Sequence, residues 1–290
     1  MNEKLTRSGR WGQERRLEFI DFRLLWEGRL NRFDLTSFFK ISVPQASLYL
    51  AKYQEIAPHN LSYDRTLKTY VASKSFKPIL TDYSSSDYLN ELLLHEHNSV
   101  APGVSFIGWA PPVSSLPTPT RRVEPEILIG ILRALQKNNA LKIDYQSLAS
   151  FDDVKPRKIY PTSFSYDGSR WNIRAYCFKT NKFKDYVLGR IRKIIETIAP
   201  PSNVPIDTEW ETYIDVIIGP NPNYPELKKR AIEDDYQMVD GETKLRIREA
   251  QLYYLVRRLN LNKHPKEKIE DHQQIVMLRI ENHQSTNDLH

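Results

Sequence analysis

Residues 170–178 read RWNIRAYCF, and this stretch decides how the middle of the chain folds. Apolar and polar side chains alternate in it with a period of two, which is typical of a β-strand with two different faces. The apolar face carries Trp171, Ile173, Ala175 and Cys177, and the polar face carries Arg170, Asn172, Arg174 and Tyr176. Because arginine is almost never buried without a partner, the polar face is either solvated or binds something.

Further short strands are predicted on both sides of this one. A helix with an apolar face covers Pro125 to Asn138, and Asp167-Gly168 marks a turn before the quoted strand. The other strands are predicted at 141–147, 157–164 and 186–191. One helix with about five short strands indicates a small, strongly bent antiparallel sheet or a barrel.

The N-terminal third has the pattern of a winged helix-turn-helix. Helical spacing predicts one helix over 11–29 and a short one over 34–40, with Asp34 as its cap. A third helix follows Ser42, which can cap it, with Pro44 in the first turn. Alternation over 61–71 around a polar turn then predicts a β-hairpin, which would be the wing.

The start of the third helix holds the candidate DNA-reading residues. Gln45, Ser47 and Tyr49 are polar there, and a glutamine can read an adenine edge with two hydrogen bonds. Lys52, Arg65 and Lys68 are the candidate phosphate contacts at the helix end and in the wing. The alternative interpretation is a small helical domain that binds no ligand.

Charge favours a polyanion as partner. Residues 1–75 carry 13 Lys or Arg against 8 Asp or Glu, and residues 123–199 carry 14 against 8. Residues 200–290 carry 12 against 16, so the basic excess lies in two separate blocks.

Catalytic, metal and cofactor chemistry are not predicted. The only cysteine is Cys177, which excludes a disulfide framework and a multi-cysteine metal site. The histidines of His95-Glu96-His97 are two residues apart and would point away from each other on a helix. Phosphate-cradling glycine loops and the common hydrolase motifs are absent, as is any apolar run long enough to span a membrane. We therefore expect no catalytic residues, no metal, no cofactor and no membrane partner.

Two proline-rich breaks divide the chain. A connector is predicted at 98–122, and a second break is predicted at 199–205. The domains are thus predicted at 1–97, 123–199 and 205–290. The last one is acidic and has apolar residues at helical spacing around Tyr254 and Val256, which we interpret as a dimerisation domain.

Four linked segments in the middle of the chain resemble a WYL domain. They read DYQS at 144–147, PRKIYP at 156–161, RWNIRAYC at 170–177 and LGRI at 188–191. With the winged helix before them and the tail after them, nearly the whole chain resembles the dimeric WYL-domain transcriptional regulators that accompany bacterial anti-phage systems such as BREX and CBASS.

The resemblance implies an α+β multidomain fold in which the central domain is an Sm-like or SH3-like β-barrel and the last is an α/β dimerisation domain. It implies that the WYL domain senses a nucleotide or nucleic-acid ligand. The implied ligand-binding residues are Tyr145, Ser147, Arg157, Arg170, Asn172, Arg174 and Arg190. The family often has histidine at the positions of Thr162 and Asn172, so this chain loses two titratable rings there.

The sequence therefore predicts a cytoplasmic, nucleoid-associated homodimer that binds an inverted repeat of double-stranded DNA. It would repress its own defence-system operon and be released by the ligand of the WYL domain. The alternative is an RNA- or single-strand-binding protein that uses the basic WYL barrel as its main site.

Overall fold

The computed structural model describes residues 3–80, 84–96, 105–117, 119, 121–148, 154–262, 269–270 and 272–282, with backbone alone over 3–11. The chain forms two compact units, Met1–Pro117 and Thr118–His290. Among the helices of these residues, none combines the length and the apolar character that crossing a bilayer requires.

The first unit is a winged helix. Its elements are α1 (Glu3–Glu27), β1 (Arg29–Leu30), α2 (Arg32–Phe39), α3 (Val43–Ile56), β2 (Leu61–Asp64), β3 (Thr69–Ala72) and α4 (Ser85–Glu96). The strands form an antiparallel sheet of order β1-β3-β2. The β2–β3 hairpin follows the third helix directly, which is the arrangement that the sequence predicts.

Side chains fix where the two short helices begin. Ser42 caps α3, so the predicted cap is confirmed, and Pro44 lies in the first turn. For α2 the predicted cap is wrong, because the helix begins earlier and Asn31 caps it. Asp34 is the third helical residue, and its Oδ2 accepts a hydrogen bond of 2.6 Å from the backbone N–H of Asn31.

A buried carboxyl group joins three parts of the first unit. Asp21 in α1 is fully buried, and its oxygens accept hydrogen bonds from the hydroxyl of Tyr53 in α3. They also accept from the backbone N–H groups of Ile79 and Leu80, at 3.0 and 3.2 Å. Asn60 donates to the Tyr53 hydroxyl at 3.1 Å. The chain after the wing is thereby held against α1 and α3.

The described part of the proline-rich connector packs on the first unit. The ring of Phe106 lies 5.4 Å from the ring of Phe19 and 5.8 Å from that of Phe22, measured between centroids. The backbone N–H of Gly108 donates to Glu27 at 2.7 Å. This segment has no helix or strand, yet these contacts attach it to the helical head.

The second unit begins with one helix and a five-stranded antiparallel sheet. Its elements are α5 (Pro125–Lys137), β4 (Ala140–Tyr145), β5 (Lys155–Tyr166), β6 (Trp171–Cys177), β7 (Lys182–Val187) and β8 (Ile191–Ile198). The strand order is β7-β6-β5-β4-β8. The strand predicted over 186–191 is wrong as a single element, because a 3-10 turn at Leu188–Arg190 separates β7 from β8.

The sheet encloses an apolar core on one face. Ile131 of α5 packs there with Ile143, Ile159 and Ile173, all with no exposed surface. The described ladders pair β7 with β6 and β8 with β4, and closure of the sheet into a barrel stays a prediction.

The rest of the second unit is a smaller mixed layer. Its elements are α6 (Thr208–Glu211), β9 (Tyr213–Pro220), α7 (Glu226–Asp235), β10 (Thr243–Arg248), α8 (Leu252–Arg258) and β11 (Ile275–Asn282). The antiparallel sheet has the order β10-β9-β11, and its core includes Val216, Ile232 and Met277. The prediction of a mixed helix-and-sheet chain with an N-terminal winged helix, a central domain built on a sheet and a C-terminal domain is confirmed.

The Asp21 network predicts a local stability effect. Tyr53→Phe removes a hydroxyl that donates to a buried oxygen of Asp21. We expect the free energy of unfolding to fall by about 1–3 kcal/mol. Hydrogen exchange of the intact chain, read in peptides from α1 and α3, measures this loss as faster exchange. Tyr63→Phe is the matched control, since the Tyr63 side chain is 45% exposed. Equal exchange in both variants would contradict the role of the network.

Candidate functional site

The third helix presents one face to solvent. Ala46, Leu50 and Tyr53 are buried at helical spacing and hold α3 against the unit. The opposite face carries Gln45, which is exposed, and Leu48, whose side chain is 64% exposed. A winged helix offers this face of its third helix to the major groove.

The predicted DNA-reading residues have unequal surroundings. The Oε1 atom of Gln45 accepts from the backbone N–H of Ser42 at 3.1 Å, so the side chain completes a capping box. The hydroxyl of Tyr49 accepts a hydrogen bond from Arg16 at 3.1 Å, and the Tyr49 ring packs against the core. Lys52 donates to Gln13 at 3.1 Å. Ser47 is half-buried.

Leu48 is not among the DNA-reading residues predicted from the sequence. The spacing of the buried residues could have separated it, because Ala46, Leu50 and Tyr53 repeat at four and three residues and Leu48 falls between them. An exposed leucine on a recognition helix is able to make an apolar contact with a thymine methyl group.

The wing carries two exposed cations. The Oδ1 atom of Asp64 accepts from the backbone N–H groups of Thr66 and Leu67, at 2.8 and 2.9 Å, and this closes the turn. Lys68 has a φ of 53° at the end of the turn, and both Arg65 and Lys68 are exposed. Neither makes an ion pair within the described part of the chain, so both are available to phosphate groups.

The predicted ligand-binding residues do not lie in one place. Arg157 is the register partner of Ile143 and therefore lies on the core side of the sheet. Asn172 and Arg174 alternate with the core residues Ile173 and Ala175, so they lie on the opposite face. The seven residues thus form an inner and an outer group.

The inner group gathers where β4 ends. Tyr145 pairs with Ile191 of β8, and its hydroxyl accepts from the backbone N–H of Val187 at 3.3 Å. The carbonyl of Arg190 accepts from the backbone N–H of Gln146 at 3.0 Å, which brings the 3-10 turn beside the residues before Ser147. Arg157 is half-buried and donates to the carbonyl of Pro156 at 3.2 Å.

Two titratable groups line the core beside this inner group. The ring of Tyr186 meets that of Tyr145 edge to face at 4.9 Å, and burial raises the pKa of Tyr186. Burial also tends to raise the pKa of Cys177, but hydrogen bonds with Thr180 and Tyr186 bring it to about 7. Because the Cys177 side chain is buried, this thiol is shielded from solvent.

In the outer group, Arg174 is buried within a carboxylate cluster. Its Nε and Nη2 atoms donate to the two oxygens of Asp207 at 2.7 and 2.9 Å. Nη2 also donates to Glu209 at 2.7 Å, and Nη1 lies 3.7 Å from Asp185 of β7. Asp207 and Glu209 belong to the segment that leads into the C-terminal layer, so this arginine joins that layer to the WYL sheet.

The cluster continues into α8. The hydroxyl of Tyr254 donates to Asp185 at 2.9 Å. Burial raises the pKa of Asp185, while the charge of Arg174 and the Tyr254 hydrogen bond act in the opposite direction. Burial and then the charge of Asp185 raise the pKa of Tyr254. Three elements of the C-terminal layer and the sheet are thus electrostatically coupled.

The outer face also contains an unsatisfied amide. Asn172 has no exposed surface, and neither its Nδ2 nor its Oδ1 atom has a hydrogen-bond partner among the residues that the structure describes. An unpaired buried amide is costly, and such groups often mark the place of a water molecule or a ligand.

The structure corrects one expectation about the polar face of β6. The sequence predicts that this face is either solvated or binds something, whereas Arg170 and Arg174 are paired with carboxylates of the same chain. Arg170 pairs with Asp167 at 2.8 Å, and Arg174 pairs with the cluster described above. The reason is that the polar face of β6 is covered by carboxylates from elsewhere in the chain.

Metal-binding side chains do not converge within the described residues, where no group of three or more His, Cys, Asp or Glu is placed to hold an ion. His97 of the predicted histidine pair lies outside the described residues.

The carboxylate cluster predicts a stability effect. Arg174→Ala leaves the buried carboxylates of Asp207 and Asp185 without their main counter-charge. We expect the free energy of unfolding to fall by about 3–5 kcal/mol. Urea unfolding of the intact chain, monitored by hydrogen exchange in β6, β7 and α6, measures this loss of stability. Arg133→Ala removes an exposed arginine of α5 and is the control. Equal stability of the two variants would contradict the structural role of Arg174.

Comparisons with known proteins match the chain over all three regions. Residues 12–94 match the BrxR transcriptional regulator winged helix-turn-helix domain. Residues 126–195 match the WYL domain. Residues 213–284 match the BrxR transcriptional regulator C-terminal dimerization domain.

Curated relatives are similar over nearly the full length. The DNA-binding transcriptional repressor CapW of Escherichia coli strain KTE188 is 41% identical over 263 residues, which cover 90% of this chain and 87% of the relative. CapW of Pseudomonas aeruginosa is 37% identical over 286 residues, 99% of this chain and 94% of the relative. CapW of Stenotrophomonas maltophilia is 40% identical over 256 residues, 87% and 84% of the two chains. This chain therefore belongs to the family of DNA-binding transcriptional repressors that includes the CapW proteins.

Proposed function

We propose that this chain is a homodimeric, cytoplasmic repressor that binds an inverted repeat in the control region of its own defence-system operon. A nucleotide or nucleic-acid ligand of the WYL domain releases it from DNA. The observation that carries the proposal is the winged helix, with one face of α3 exposed and two wing cations that pair with no carboxylate among the described residues. The repressor names of the full-length relatives support the sign of regulation.

Base selection rests on few side chains of α3. The Oε1 atom of Gln45 is engaged in the capping box, which leaves its amide N–H₂ as the group that can donate to a base. Leu48 provides the apolar contact for a thymine methyl group. Arg65 and Lys68 hold the backbone and carry no base preference. We therefore propose that the half-site contains a thymine opposite Leu48.

Dimerisation supplies the second half-site. The match of residues 213–284 to a dimerization domain supports a two-fold assembly. The C-terminal layer also leaves large apolar side chains in solvent, since Leu227 is 83% and Val239 is 75% exposed. A two-fold dimer presents two recognition helices in opposite directions, which matches an inverted repeat.

Ligand control acts through the second unit. The Arg174 cluster couples the WYL sheet to the C-terminal layer, so a ligand that alters this cluster would alter the dimerising layer. Such a ligand acts as a switch only if it prefers one of two arrangements of the dimer.

Leu48 gives a direct test of base selection. The probe is the DNA upstream of the chain's own reading frame, and its thymines are replaced one at a time by uracil, which lacks the methyl group. At one position per half-site we expect the wild-type chain to lose about fourfold in affinity for each methyl removed, since a methyl contact is worth about 0.8 kcal/mol. Leu48→Ala should be insensitive to the same replacement. A wild-type chain that binds all uracil probes equally would contradict the placement of Leu48.

The wing gives the matching test of backbone contacts. Arg65→Gln with Lys68→Gln should weaken binding to all DNA sequences alike. It should reduce the slope of log affinity against log salt by about 2, because two phosphate contacts are lost. Arg133→Gln, which changes an exposed arginine in the second unit, is the control and should leave the slope unchanged. Unaltered operator binding in the wing variant would favour the alternative in which the basic WYL region binds RNA or single strands.

The assembly has its own test. Sedimentation velocity of the full chain at micromolar concentration should give a dimer, and titration onto the upstream DNA should give two protomers for each inverted repeat. A monomer in solution that binds a single half-site would contradict both the homodimer and the reading of an inverted repeat.

A further inference from the structure

A cavity of about 320 Å³ lies where the β5–β6 turn meets α8, within the second unit. It is lined by Arg121, Asp167, Gly168, Ser169, Arg170, Tyr254, Arg257 and Arg258. Four arginines and one aspartate are therefore among its lining residues. The volume is at the lower end of the range of small-ligand sites, which begins at roughly 300 Å³.

The single carboxylate does not neutralise the cavity. The Oδ1 atom of Asp167 accepts from the backbone N–H groups of Ser169 and Arg170, both at 2.9 Å, and its Oδ2 atom accepts from Arg170 at 2.8 Å. These hydrogen bonds lower the pKa of Asp167 against the opposing effect of its burial. Asp167 is thus occupied in shaping the turn and in orienting Arg170.

A glycine in the turn leaves room for the end of the Arg258 side chain. Gly168 has a φ of +90°, and a Cβ atom there would lie 2.8 Å from the guanidinium group of Arg258. Any other residue would be strained and would displace Arg258. The close approach brings the charge of Arg258 to the same cavity as that of Arg170.

Three of the arginines make no ion pair in the described part of the chain. Arg257 donates to the hydroxyl of Tyr253 at 3.0 Å, which leaves its charge intact. Arg121 and Arg258 are exposed and make no ion pair with any described residue. Several positive charges around one small cavity repel each other, and an anion removes that repulsion.

We infer that this cavity is a binding site for a ligand that carries two or more phosphate groups. Guanidinium forks match phosphate oxygens with paired hydrogen bonds, and four of them suit a multiply charged ligand better than a single carboxylate. The inference rests on the proposed function in one respect, because it assigns the site of the controlling ligand. This site is on the outer face of the sheet and is separate from the inner group of Tyr145 and Arg157.

The site is connected to the joint between the sheet and the C-terminal layer. Tyr254 lines the cavity and donates to Asp185, which in turn faces Arg174. Arg170 at the cavity and the unsatisfied Asn172 belong to the same face as Arg174. A ligand that moves α8 would therefore act on the carboxylate cluster.

The test measures binding to the full-length chain by calorimetry in the absence of operator DNA. The probes are sodium tripolyphosphate and a short 5′-phosphorylated oligothymidylate. Arg121→Gln with Arg258→Gln should weaken binding of the preferred probe by at least roughly tenfold, since two charge-assisted hydrogen bonds are lost. Arg133→Gln with Lys137→Gln removes the same charge from an exposed part of α5 and should change little.

Comparison of the probes distinguishes the two sources of phosphate. Equal affinity for both indicates a nucleotide polyphosphate, whereas clearly tighter binding of the oligothymidylate indicates a nucleic-acid strand. The wing variant Arg65→Gln with Lys68→Gln should bind the oligothymidylate as the wild type does. Loss of binding in that variant would place the strand on the DNA-binding head and overturn the site.

Failure of the site and failure of the repressor are separable. Operator binding of the ligand-free chain is measured in parallel by gel shift. A chain that binds the operator but neither probe contradicts the phosphate site alone. Equal loss in the cavity variant and in the α5 control overturns it as well. A chain that binds a probe at the cavity but no operator contradicts the repressor and leaves the site standing.

Discussion

The second unit depends on one buried guanidinium group. Arg174 has 4% of its surface exposed, and a charge in that position is tolerated only beside opposite charges that remain with it. Asp207 provides two short hydrogen bonds, and Asp185 and Glu209 complete the surroundings. These partners come from β7 and from the start of the C-terminal layer. The WYL sheet and that layer consequently form one compact unit, Thr118–His290.

The first unit solves a similar problem differently. Its buried acidic group, Asp21, is satisfied by a hydroxyl and by two backbone N–H groups, not by a cation. No arginine or lysine of the first unit is therefore needed to balance the charge of Asp21 among the described residues. The wing residues Arg65 and Lys68 are exposed, and an exposed basic wing is what contact with a phosphate backbone requires.

Local residue patterns predicted the helices and strands, but contacts between residues far apart in the chain determine the surroundings of the candidate site residues. The alternation in RWNIRAYCF correctly placed Ile173 and Ala175 in the core and Arg174 on the other face. It could not reveal that this face is covered, because Asp207 lies 33 residues further along the chain. In the head, the spacing of Ser42 and Gln45 is that of a capping box, so the engagement of Gln45 could have been read from the sequence. The exposure of Leu48 follows from the spacing of Ala46, Leu50 and Tyr53, which form the buried side of α3.

Energy limits how a ligand can act on this arrangement. Moving a two-state equilibrium from 1:99 to 99:1 takes about 5.5 kcal/mol of differential binding, and breaking a buried ion pair without replacement costs about 3–5 kcal/mol more. A ligand that merely separated Arg174 from Asp207 would have to supply both amounts. A phosphate-bearing ligand avoids the cost of breaking the ion pair in either of two ways. Its own oxygens can replace a carboxylate, or the carboxylate cluster can move as a whole. Tyr254 links the cavity to Asp185 by a single hydrogen bond, whereas two charge-assisted hydrogen bonds join Arg174 to Asp207, so a displacement of α8 breaks the Tyr254 bond before it opens the ion pair.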